Sequence, residues 1–146
     1  MKEIKRSARA QWAGDLRNGR GLTTTESQTI DGAMYSVASR FEKGTGTNPE
    51  ELIAAAEASC FSMMLAKIIS DQKMSIDEIN TKATVTLKQE NGRAKISEVH
   101  LSTEAKVAGM DEESFKKAAE QAKDSCPVST LLKPGLEKMT LEAKLI

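Results

Sequence analysis

From Leu52 to Ile69 nearly every residue is apolar or small, and charge interrupts the run only at Glu57 and Lys67. A stretch of this kind approaches the length of a membrane span, yet ionised side chains at its depth are costly in lipid, so it is expected to be a buried core helix. Its start is marked with unusual clarity. Asn48 can cap, Pro49 suits the first helical position, and Glu51, three residues after the cap, completes a capping box. Glu50 is then left without a part in starting the helix. The spacing predicts a helix running to about Ser70 with Cys60 at mid-length.

The flanking sequence has strand character. Residues Ser7 to Glu26 read as a hairpin in which Ala8, Ala10 and Trp12 alternate with polar neighbours and Asn18-Gly19 makes the turn. A third strand is expected from about Tyr35 to Phe41, with Arg40 projecting opposite the Tyr35/Phe41 face. Beyond the helix the period switches to two. Ile79, Thr81, Ala83, Val85 and Leu87 share one face, Asn91-Gly92 turns the chain, and Val99, Leu101, Thr103, Ala105 and Val107 continue the buried face on the return. A second helix is predicted after Asp111, with Phe115, Ala118, Ala119 and Ala122 on its apolar stripe. Cys126-Pro127 opens a short third helix through Leu132, and a strand from Leu136 to Leu145 ends the pattern. No repeat, linker or low-complexity tract interrupts residues 1–146. The expectation is a single α+β domain with helices packed on antiparallel sheet.

Composition narrows the function. The 146 residues carry 21 basic and 21 acidic side chains, so no net field is present to hold nucleic acid or an anionic membrane. Two cysteines are too few for a secreted disulfide scaffold, and Met1-Lys2-Glu3-Ile4-Lys5-Arg6 lacks the apolar core of a signal peptide, which points to a reducing, cytoplasmic setting. The only histidine, His100, falls on the polar face of its strand beside Glu98 and Ser102. With no further imidazole, zinc sites and histidine-dependent hydrolysis lose their usual groups. Gly44-Thr45-Gly46-Thr47 lacks the lysine of a phosphate-binding loop.

Sulfur chemistry remains. In the helix interior Cys60 is either a small core hydrophobe or a nucleophile. Cys126 stands where a helix start favours a thiolate, or is an incidental cap. A cysteine in mid-helix gains little from the dipole and needs a cation. Arg40 is the candidate, with Glu50 the candidate carboxylate to hold its planar fork. Glu50 and Cys60 are separated by ten residues, about 80° short of three full turns, which puts them on neighbouring helix faces. The alternative for Arg40 and Glu50 is a solvent-facing ion pair of little energetic weight.

At these residues the sequence resembles the family of osmotically inducible protein C (OsmC) and its relative, the organic hydroperoxide resistance (Ohr) protein. The resemblance rests on Ser39-Arg40-Phe41-Glu42, on Gly46-Thr47-Asn48-Pro49-Glu50-Glu51-Leu52-Ile53-Ala54-Ala55-Ala56 leading to Ala58-Ser59-Cys60-Phe61-Ser62-Met63, and on Cys126-Pro127-Val128-Ser129. Trp12-Ala13-Gly14-Asp15 is similar to the OsmC branch. The resemblance implies an intertwined homodimer in which antiparallel sheets wrap two central helices, with active sites at the subunit boundary. It also implies that Cys60 is the peroxidatic cysteine, Cys126 the resolving one, and Arg40 and Glu50 the accompanying pair. In the Ohr branch the arginine comes from the first hairpin, where this chain has Arg17 and Arg20. Glu57, three residues before Cys60, departs from the pattern, because a carboxylate there opposes a thiolate. Either Glu57 turns to solvent, or the site differs in substrate or pH optimum.

The activity so implied is thiol-dependent reduction of organic hydroperoxides, and less readily of hydrogen peroxide, through a Cys60 sulfenic acid resolved by Cys126. Phe61, Met63, Met64 and Ile53 give the site apolar neighbours. No metal or prosthetic group is expected, and an external dithiol, such as a lipoyl group, is the expected reductant. The competing readings are a non-catalytic dimeric stress or binding protein with idle cysteines and a general thiol–disulfide oxidoreductase.

Overall fold

The computed structural model covers Met1–Ile146 and divides into two compact units, Met1–Pro49 and Glu50–Ile146.

In the first unit, β1 (Ala8–Ala13), β2 (Arg20–Thr25) and β3 (Ala33–Tyr35) form an antiparallel sheet in that order. The expected hairpin is present, but its turn is wider than Asn18-Gly19 alone. The last pair is Ala13 with Arg20, and the Asp15 carboxylate accepts the Asn18 N–H at 2.7 Å, closing a loop that contains Arg17. Across the three strands Trp12, Gly21 and Tyr35 stand in one row. A Cβ on Gly21 would collide with the Tyr35 ring, so glycine is what lets the Trp12 and Tyr35 rings meet across it with centroids 5.7 Å apart.

The strand expected from Tyr35 to Phe41 is instead the end of β3 followed by a helical turn, α1 (Val37–Phe41). Ser36 and Ser39 explain the difference. The Ser39 N–H donates to Ser36 Oγ at 3.2 Å and the Ser36 N–H donates to Ser39 Oγ at 2.8 Å, a reciprocal cap that favours a helix over continued extension. Ser39 Oγ also donates to the Thr47 carbonyl, and the Asn48 side-chain amide donates to the Ser39 carbonyl, tying the following loop to the cap. Arg40 therefore does not project from a strand face opposite the aromatic residues. It lies in the last turn of α1 with its guanidinium 5.2 Å from the Phe41 ring centroid.

The second helix, α2 (Pro49–Asp71), begins at the expected proline. It is long and apolar enough to cross a membrane by length and composition, with a mean hydropathy of 1.7, but Phe61, Leu65, Ile68 and Ile69 are buried in the core of the second unit. The long hairpin follows as β4 (Ile76–Glu90) and β5 (Arg93–Val107). Asn91 and Gly92 both take positive φ, 52° and 74°, as a two-residue turn with the strand twist requires. Val99, Leu101, Thr103, Ala105 and Val107 are buried as read from the alternation. The hydroxyls on that face are satisfied by one another: Ser62 of α2 donates to Thr81 at 2.8 Å, and Thr81 and Thr103 share a bond of 2.9 Å.

Asp111 caps α3 (Glu112–Ser125), and the predicted stripe of Phe115, Ala118, Ala119 and Ala122 is buried. A six-residue helix, α4 (Pro127–Leu132), and a 3-10 turn over Lys133–Gly135 lead to β6 (Lys138–Leu145). Here the all-antiparallel expectation fails, because β6 pairs with β5 in parallel register, Glu98 with Lys138 through Ala105 with Leu145. The two helices carry the chain back past the length of β5 before β6 begins, and a strand entered by such a crossover runs parallel to the one it left. The sheet order is β4-β5-β6. His100 stays on its outer face, Nδ1 to Thr140 Oγ1 at 2.6 Å.

Candidate functional site

Two cysteines 66 residues apart in sequence meet in the second unit. Cys126 Sγ and Cys60 Sγ share a hydrogen bond of 2.8 Å, and neither is in a disulfide. Cys60 is half-buried at mid-length of α2, while Cys126 is fully buried.

Local sequence fixes Cys126 firmly. Its N–H ends α3 by donating to the Ala122 carbonyl at 2.9 Å, and its own carbonyl starts α4 by accepting from Thr130 at 3.0 Å. Pro127 holds it extended, with ψ at 128°. The side chain of Cys126 makes no capping bond, so the sulfur is free to face Cys60. The Val128 N–H in the first turn of α4 faces the Cys60 sulfur and favours its thiolate.

That donor is outweighed within the unit. Burial pushes the Cys60 thiol above its ordinary range, the bond and charge of Cys126 add to this, and Glu57 adds further. Glu57 does not turn to solvent. It is fully buried, and Ser129 Oγ of α4 donates to its Oε1 at 2.5 Å. Its second oxygen, Oε2, is buried without a hydrogen-bond partner. Loss of water raises the Glu57 carboxyl above the usual carboxylate range, with the Ser129 bond acting in the opposite sense. Glu57 and Ser129 thus form a rung between α2 and α4 beside the sulfur pair, one turn away on each helix.

The remaining candidates have different surroundings. Glu50 is buried in the first turn of α2. Arg40, with Trp12, Leu16, Tyr35, Val37 and Phe41, lines a largely apolar pocket of about 300 Å³ in the first unit. Arg20 opens β2. Of the apolar neighbours expected around the sulfur, Phe61 belongs to the core, whereas Met63 is 77% exposed.

Residues 42–138 match the family model described as OsmC-like protein. The chain belongs to the OsmC-like family. It is 38% identical over 130 residues to peroxiredoxin OsmC of Escherichia coli K12, an alignment covering 89% of this chain and 91% of that protein. To the organic hydroperoxide resistance protein OhrB of Bacillus subtilis 168 it is 31% identical over 130 residues, covering 88% and 93% of the two chains. The crystal structure of that OhrB superposes with a TM-score of 0.69 at 22% identity, covering 94% of this chain and 97% of the other. An OsmC-like protein from Mycoplasma pneumoniae superposes with a TM-score of 0.75 at 15% identity over 99% of both chains. At such identities the structural matches show the fold, and the fold is the α+β one of OsmC and Ohr proteins.

Two of the groups beside the sulfur pair carry little sequence signal: Ser129 stands out only as the last residue of Cys126-Pro127-Val128-Ser129, and the Val128 N–H has no side-chain signal. Helical spacing held the clue to Ser129, since Glu57 precedes Cys60 by three residues and Ser129 follows Cys126 by three, so a contact between the cysteines brings the other two together.

Proposed function

We propose that this chain is a thiol-dependent peroxidase acting on organic hydroperoxides, with Cys60 as the attacking thiolate and Cys126 as the resolving thiol. The observation that carries the reading is the 2.8 Å approach of the two sulfurs. The Cys60 thiolate attacks the terminal oxygen of ROOH, the O–O bond breaks, and with one proton taken up the products are Cys60 sulfenic acid and ROH. The Cys126 thiol then displaces water from the sulfenic acid to give the disulfide. An external dithiol of lipoyl type supplies the two electrons and two protons that reopen it.

In this reading Arg40 is the cation that favours the Cys60 thiolate, Glu50 orients it, and the protein works as a homodimer in the cytoplasm. Arg17 and Arg20 are the alternative cations. In this reading the preferred substrate is an organic peroxide rather than hydrogen peroxide. One feature favours the second reading, a dimeric binding protein with idle cysteines: burial and the groups around Cys60 in its own unit favour the thiol over the thiolate.

Free-thiol titration after one equivalent of cumene hydroperoxide separates the two. The peroxidase loses both thiols of each chain, and steady-state consumption proceeds with dithiols. Cys60→Ser abolishes turnover, and Cys126→Ser accumulates Cys60 carrying two added oxygens in excess peroxide. Two intact thiols after treatment overturn the proposal.

A further inference from the structure

Glu57 has no part in the cycle just described, yet it is a fully buried carboxyl beside it. A carboxylate removed from water requires partners for both oxygens, and here Ser129 serves Oε1 while Oε2 has none. The arrangement suits a neutral acid, with Oε1 accepting and the proton on Oε2. Three residues along a helix places Glu57 and Cys60 on adjoining positions of one face, about 5–6 Å apart at Cβ. Two negative charges so placed, away from water, oppose each other.

We propose that Glu57 is a positioning residue that gates Cys60 by charge: as the neutral acid it permits the thiolate, and as the carboxylate it opposes it, with Ser129 tuning which form is present. The inference deepens the peroxidase reading and names a control on its attacking thiol. Glu57 itself touches no substrate.

The other groups around Glu57 do not supply this effect. Of the titratable groups nearby, Cys60 on its own helix senses the Glu57 charge, and Cys126 at the head of α4 is bonded to Cys60. Glu50 stands two turns earlier on the same face of α2. From the sheet and α3, the core residues packed with α2 include Ile79, Ala83, Leu101, Ala105, Phe115 and Ala119, none of them ionisable. Ser129 favours the ionised form of Glu57, since a hydroxyl donor stabilises a carboxylate more than an acid. Removing Ser129 therefore extends the pH range over which Glu57 stays neutral.

The test uses reduced full-length protein and no peroxide, so its outcome is independent of whether the chain is a peroxidase. Cys60 is alkylated with iodoacetamide under pseudo-first-order conditions from pH 6 to pH 10, and its modification is quantified by peptide mass. Glu57→Gln keeps the size and an acceptor for Ser129 but cannot ionise. It should alkylate at Cys60 roughly threefold to tenfold faster than wild type near pH 8, where a nearby carboxylate acts against the thiolate. Ser129→Ala should accelerate alkylation in the same direction by less. The double variant should match Glu57→Gln alone, because Ser129 acts through Glu57. A Glu57→Gln profile that superposes on wild type overturns the gate. If Glu57→Gln does not fold, Ser129→Ala carries the test, and a profile unchanged or slowed by that substitution overturns it equally.

Discussion

Oxidation should leave a thermodynamic mark whose size follows from the chain path. A bond between Cys60 and Cys126 closes a loop of 66 residues. Loop-closure entropy for that span gives about 4 kcal/mol of stabilisation at 25 °C, through restriction of the unfolded chain. The sulfurs already lie 2.8 Å apart, so bond formation requires them to approach by only about 0.8 Å more. Little native distortion then offsets the gain, and we expect about 2–4 kcal/mol to appear. The assay is guanidinium unfolding of protein treated with one equivalent of hydroperoxide, of the same sample re-reduced with dithiol, and of Cys126→Ser treated alike. The oxidised form should unfold at higher denaturant with a smaller m value, because its unfolded state is more compact. Its Tm should rise by roughly 10 °C, and re-reduction should reverse both changes. Cys126→Ser should gain nothing. An oxidised wild type that has lost two hydrogens per chain yet unfolds at the reduced midpoint would refute an intrachain bond between these cysteines.

Arg40→Ala should slow stopped-flow oxidation of Cys60 by about 10²-fold or more, as loss of a group that stabilises developing charge does, while leaving disulfide reduction nearly unchanged; an unchanged oxidation rate transfers the role to Arg17 or Arg20. Glu50→Gln should have a smaller effect, and the double variant should fall short of the product of the two if they act as a unit. Asp111 makes a prediction about pH and stability. The Ser114 N–H, and then the Ser114 hydroxyl, hold the Asp111 carboxyl below the usual range. A depressed native value means that its stabilisation is present above the unfolded value of about 3.9 and is lost as pH falls through the lower folded one. The midpoint difference between wild type and Asp111→Ala should be constant from about pH 5 to 8 and close below about pH 4, and a difference that persists at low pH would refute the charged cap.

What sequence made legible was local. Asn48-Pro49, Asn91-Gly92, Asp111 and Cys126-Pro127 each constrain the backbone within a few residues, and each lies at or beside a boundary between elements. The segment from Tyr35 to Phe41 was misread because alternation over so few residues fits a strand and one helical turn alike. The Ser36 and Ser39 hydroxyls decide between them. The direction of β6 was not legible, since it depends on how far α3 and α4 carry the chain. Nor was the burial of Glu57, an ionisable residue whose hydrogen-bond partner is a hydroxyl 72 positions away.

The balance of forces at Cys60 bears on what kind of group would favour its thiolate. Within its own unit, burial, Cys126 and Glu57 all favour the thiol, and against them stands one neutral donor, the Val128 N–H. A neutral hydrogen bond has a net worth of about 1 kcal/mol, whereas a full charge at 4 Å contributes about 4 kcal/mol at an effective dielectric of 20. On these magnitudes one cation weighs as much as about four such N–H donors. Neutralising Glu57 removes an opposing charge and supplies no attraction, so the gate and the cation are separate requirements. If Arg40 is the cation, Glu57→Gln should ease ionisation of Cys60 even in an Arg40→Ala background, because the two substitutions act on different terms of the same balance.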